Sequence, residues 1–64
     1  MDAGKTGAYL AALRKARGMT QQEAADQLGV SNKTVSKWEN GAGLPDITVL
    51  PALAELYGVT ADDI

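Results

Sequence analysis

Between Leu28 and Asn32 the chain has only three residues, Gly29-Val30-Ser31, in which to end one helix and begin another. Gly29 can adopt the left-handed conformation that closes a helix, and Ser31 is a favoured N-cap for the next. Two short helices joined by three residues, with Gly first in the turn, form the helix-turn-helix pattern. Ala25, four residues before that Gly, is small enough for the two helices to cross closely. Val30, just after it, plugs the turn into a core.

The punctuation on either side agrees. Thr20-Gln21-Gln22-Glu23 is a capping box, so the second helix starts near 21 and runs to about 28, with Ala24, Ala25 and Leu28 inward. Upstream, Tyr9, Leu10, Leu13 and Ala16 fall on one face of a helix over residues 6–17. It ends at Gly18 after a basic last turn, Arg14, Lys15 and Arg17, suited to the negative helix end. Downstream, a third helix over about 32–40 puts Val35 and Trp38 on one side. At about 100° per residue, Asn32, Lys33, Ser36, Lys37 and Asn40 fall on the other. Trp38 shares a face with Val35 and is therefore a core residue rather than a stacking platform.

Gly41-Ala42-Gly43-Leu44-Pro45-Asp46 reads as a loop. Pro51 fits the first turn of a fourth helix better than its middle, leaving 46–49 as a separate tight turn. That helix turns Leu50, Leu53, Ala54 and Tyr57 inward and stops at Gly58. Thr60-Ala61-Asp62-Asp63 caps a fifth helix cut short at Ile64, which suggests a lost C-terminal region. No run alternates like a β-strand. The fold class is all-α, a compact bundle of four to five helices in one domain over residues 1–64, near the lower size limit for folding alone.

Composition narrows the chemistry. The chain has no cysteine and no histidine. Disulfides, thiolate or imidazole metal sites and the commonest general base are thus excluded, and neither an enzyme nor a cofactor, metal or small-molecule ligand is expected. Gly4-Lys5-Thr6 has the ending of a phosphate-binding loop. The glycine such a loop needs five residues upstream would fall before Met1, so ATP binding is not expected. Nothing reaches the roughly 18 apolar residues of a membrane span, so no membrane partner and a cytoplasmic location are expected. The net charge of −2 is unevenly spread. Residues 1–40 hold all six basic and four acidic residues, and residues 41–64 hold four acidic residues only. Lys33 and Lys37 therefore make a locally positive face on an acidic protein.

Leu13-Arg14, Gly18 to Gln21, Ala25, Leu28 to Ser31, Val35 to Gly41, Pro45-Asp46 and Leu53 to Val59 together resemble the Cro/repressor-type (XRE-like) helix-turn-helix family. The resemblance covers about three-quarters of the chain. It implies a lambda-repressor-like domain of a bacterial or phage transcriptional regulator, with a repressor's role expected. The partner implied is double-stranded DNA, read by the third helix in the major groove, usually by a homodimer on a palindromic site. Position by position, Asn32, Lys33 and Lys37 match base-reading residues, with Thr34 and Ser36 as auxiliaries. Thr20, Gln21 and Asn40 match phosphate contacts, and Arg14 and Glu39 match a structural ion pair between the first and third helices.

One stretch departs from the family. Its well-studied phage members carry lysines and arginines in the loop after the third helix; Ala42 to Asp46 has no cation and one carboxylate. Weaker DNA binding by one copy is expected, because each lost phosphate contact lowers affinity and flattens its salt dependence. The same deficit keeps two alternatives open: a protein-interaction module of this fold, such as an antitoxin or adaptor, and a scaffold without ligand. Leu56 and Ile64 are the apolar residues expected to be exposed for a dimer contact.

Overall fold

The computed structural model describes residues 2–64, which form four α-helices, α1 (Ala3–Ala16), α2 (Gln21–Leu28), α3 (Asn32–Glu39) and α4 (Leu50–Tyr57), and a closing 3-10 turn, Ala61–Asp63. Among the described residues there is no strand, and no helix is long and apolar enough to cross a membrane.

Each helix boundary has a local cause. The Thr20 side chain accepts from the Glu23 amide at 3.1 Å while Glu23 Oε1 accepts from the Thr20 amide at 2.9 Å, completing the capping box. Gly29 ends α2 at φ +72°, and the Val30 amide turns back to the Ala25 carbonyl. Only a residue that tolerates positive φ closes a helix within a three-residue turn. Ser31 caps α3, its hydroxyl accepting from the Thr34 amide at 3.2 Å. Pro51 lies in the first turn of α4, and residues 46–49 form a separate turn closed by the Val49 amide on the Asp46 carbonyl. The C-terminal helix proves to be a single 3-10 turn, with Thr60 and Asp63 capping each other.

Leu10, Ala25, Val35, Trp38, Leu53 and Tyr57 form the buried cluster, so every α-helix contributes to one core. The core holds α3 by its Val35–Trp38 face and leaves the opposite face to solvent. A close approach fixes α1 against the end of α3. A methyl group on Gly7 would collide with the Trp38 carbonyl oxygen and lie 2.9 Å from that of Glu39. The helix backbones touch there because Gly7 has no side chain.

Three expectations need correction. α1 begins at Ala3 rather than near residue 6, because Asp2 caps it by accepting from the Lys5 amide at 2.9 Å. Its inner face is Thr6, Gly7 and Leu10, with Leu13 half-buried and Ala16 exposed. Leu56 and Ile64 are half-buried against the core, and among the described residues the exposed large apolar ones are Ile47 (77%) and Leu44 (43%), in the loop before α4.

Candidate nucleic-acid interface

The solvent face of α3 is not flat. Gln21, Asn32, Lys33, Ser36, Lys37, Asn40 and Ala42 line one open concavity, to which the start of α2, α3 and the loop after it all contribute. Six of the eight residues expected at a DNA surface are thus brought together. The other two do not line it. Thr20 is the N-cap of α2. Thr34 is half-buried, with its hydroxyl 3.0 Å from that of Ser31.

Lys33 and Lys37 are both exposed, and among the described residues the one ion pair within 4 Å is Arg14 with Glu39. Both ammonium groups therefore project unneutralised from a face whose other polar groups are amides and a hydroxyl. Asn40 Nδ2 donates to Ser36 Oγ at 3.2 Å, which holds the Asn40 amide along the face.

Behind this surface lies a polar network joining three helices. Arg14 Nε donates to Glu39 Oε2 at 2.8 Å and Arg14 Nη2 to Glu39 Oε1 at 3.0 Å. Arg14 Nη1 donates to the Met19 carbonyl at 2.7 Å, and Gln21 Nε2 donates to Glu39 Oε1 at 3.1 Å. Both partners of the pair are largely covered, the Arg14 side chain 12% and the Glu39 side chain 6% exposed. Burial is the strongest influence on the Glu39 carboxyl and pushes it up. The hydrogen bonds from Arg14 and Gln21 and the charges of Arg14 and Lys15 outweigh it, and the group lies below the ordinary glutamate range. Arg14 is raised, foremost by its hydrogen bond to Glu39. Both groups are charged at neutral pH.

The Gln21–Glu39 bond is the feature that the sequence did not disclose. The residues are 18 apart on different helices, and no local pattern links them. Its consequence is positional. One amide hydrogen of Gln21 is held by Glu39, and the other is free at the edge of the concavity. The capping box occupies the amides of Thr20 and Glu23, so the amides of Gln21 and Gln22 are left without intrahelical partners. A helix N-terminus with open amides favours an anion.

Residues 10–64 match the family model described as Helix-turn-helix. The HTH-type transcriptional activator BcrR of Enterococcus faecalis is 38% identical over 52 residues, which are 81% of this chain and 26% of BcrR. The chain spans between 26% and 52% of the length of BcrR and three further curated relatives. It is also 31% identical to the uncharacterized HTH-type transcriptional regulator YazB of Bacillus subtilis, over all of this chain and 93% of YazB. The crystal structure of the P22 c2 repressor with a synthetic operator superposes with a TM-score of 0.85 at 30% identity, covering 89% of this chain and 86% of the repressor.

Proposed function

The chain belongs to the helix-turn-helix family, and we propose that it binds double-stranded DNA sequence-specifically as a transcriptional regulator. Residues 1–64 act as one binding unit, α3 lies in the major groove and α2 crosses the backbone. The observation that carries this reading is the concavity along α3, where two unpaired lysines stand beside Gln21, Asn32 and Asn40. A helix is about 10–12 Å across with its side chains, and the major groove is about 12 Å wide.

The roles follow from the chemistry of each group. The ammonium groups of Lys33 and Lys37 donate to guanine O6 and N7, and the Asn32 amide can pair with adenine N6 and N7. Ser36 assists from within the concavity and Thr34 from beside it. Gln21, Thr20 and Asn40 hold phosphates and set the register, Gln21 through its second amide hydrogen and the open amides at the start of α2. The reading assigns binding and no catalytic step, in the bacterial cytoplasm. Repression is preferred to activation because blocking a site needs only this surface, whereas activation needs a second one for the transcription machinery. With no cation in the loop at residues 42–46, one copy makes few phosphate contacts, and a homodimer on a palindromic site restores affinity.

A salt titration against random duplex DNA tests this reading. Groove binding requires log Kobs to fall linearly with log salt, with a slope of about −0.9 per phosphate contact. The acidic residues 41–64 and the cation-free loop favour the alternative, a protein-interaction module. That alternative requires no duplex binding even at low salt.

A further inference from the structure

The loop after α3 supplies no cation, so any further ionic grip on the backbone must come from elsewhere. Outside α3 the chain's cations are Lys5, Arg14, Lys15 and Arg17, all on α1 or at its end. Arg14 is committed to Glu39 and the Met19 carbonyl. Arg17 turns the other way, its guanidinium so close to Gly58 that a methyl group there would collide with Nη2. Lys5 lies near the start of α1, about 180° round the helix from Arg14 and about 14 Å along it.

Lys15 differs from all three. Like Lys5 it is exposed with no carboxylate within 4 Å, but it stands beside Arg14 in the last turn of α1. It follows Arg14 directly, and Arg14 touches both the residue before Thr20 and the last residue of α3. Its charge reaches Glu39, which Gln21 contacts from the start of α2. The helical neighbours of Lys15 on the same flank, at i−4, i−7 and i−11, are Ala11, Ala8 and Gly4. Gly4 packs on Gly41, with its Cα 3.1 Å from where a Gly41 methyl would sit, so this flank runs beside the end of α3 next to Ala42.

We propose that Lys15 is a phosphate-contacting residue of the DNA complex, gripping the backbone next to the phosphate held at the start of α2. The inference rests on the DNA-binding reading above and adds to it a contact from α1. A lysine there acts as a point charge on a flexible stem, so it strengthens binding without reading sequence.

The test is the salt dependence of binding to a random duplex by the full chain, comparing wild type with Lys15→Gln, Lys15→Arg and Lys5→Gln. Lys5→Gln removes the same charge from the other end of α1, about 15 Å along the helix from Lys15. Lys15→Gln is expected to reduce the slope by about 0.9 and to weaken binding several-fold at low salt, while Lys15→Arg and Lys5→Gln keep the wild-type slope. Urea midpoints for all four confirm equal folding. A wild-type slope in Lys15→Gln overturns this inference and leaves the DNA-binding reading intact, as does an equal loss in Lys5→Gln, which would make the effect one of net charge. A wild-type chain without salt-dependent binding overturns both.

Discussion

Arg14 and Glu39, 25 residues apart, meet side-on through two hydrogen bonds of 2.8 and 3.0 Å, while the same guanidinium holds the Met19 carbonyl and the same carboxylate holds Gln21. α1 thus ties the last turn of α3 to the entry of α2. These are the two elements that, in the proposed complex, enter the groove and hold the backbone. Their spacing has to match that of the DNA, and a largely buried, bidentate pair sets it more firmly than apolar packing alone.

Removing one partner should be far worse than removing both. Arg14→Met leaves the Glu39 carboxylate covered and unpaired, and is expected to cost about 3 kcal/mol. The double variant Arg14→Met/Glu39→Met should recover most of that loss, because an apolar pair of similar volume replaces the ion pair without stranding a charge. Urea denaturation of the three proteins measures both quantities. A double variant as unstable as the single one would show that the pair contributes net stability of its own.

Acid should weaken the fold through Glu39. Its carboxyl is lowered in the folded chain, so the folded state holds a proton there less readily than the unfolded state. The stability it contributes is fully present above the ordinary glutamate value of about 4.3 and is lost as pH falls through the lower folded value. Thermal midpoints between pH 6 and pH 2 should fall less steeply for Glu39→Gln than for wild type. Parallel curves would place the acid sensitivity elsewhere.

Gly7→Ala should destabilise, although alanine favours a helix by about 1 kcal/mol over glycine. The added methyl group meets the backbone carbonyls of Trp38 and Glu39, which cannot swing aside as a side chain would. Pushing α1 from α3 is expected to cost about 1–3 kcal/mol net, measured by chemical denaturation. The shift should also loosen the Arg14–Glu39 geometry and weaken DNA binding.

Base reading and backbone holding should separate in mutants. Lys37→Ala is expected to cost about 1–3 kcal/mol and relax preference at one base pair, whereas Gln21→Ala should weaken binding to every duplex alike. Binding of each variant to a selected site and to its single-base changes distinguishes the two patterns. Both variants binding as wild type would show that the contacts have been assigned to the wrong residues.

The parts of this structure legible in the sequence are those set by local chemistry. The Thr20 capping box, Gly29 with Ser31, and the Val35–Trp38 face of α3 each follow from residues within a turn or two of one another, and each is present. The start of α1 is not legible because Asp2 caps a stretch, Ala3-Gly4-Lys5, that lacks the apolar spacing by which a helix is recognised. Leu56 and Ile64 are half-buried rather than exposed because tertiary packing, which no local pattern encodes, decides what covers them. The Gln21–Glu39 bond and the Gly7 contact with Trp38 join residues distant in sequence, and no periodicity encodes such a meeting.

Selection of binding sites from a random duplex pool at low salt tests the DNA-reading role of α3 most directly. The expected result is convergence on a motif of two inverted half-sites about 34 Å apart, one for each copy of the chain. A pool that stays indistinguishable from the input after repeated rounds would contradict it.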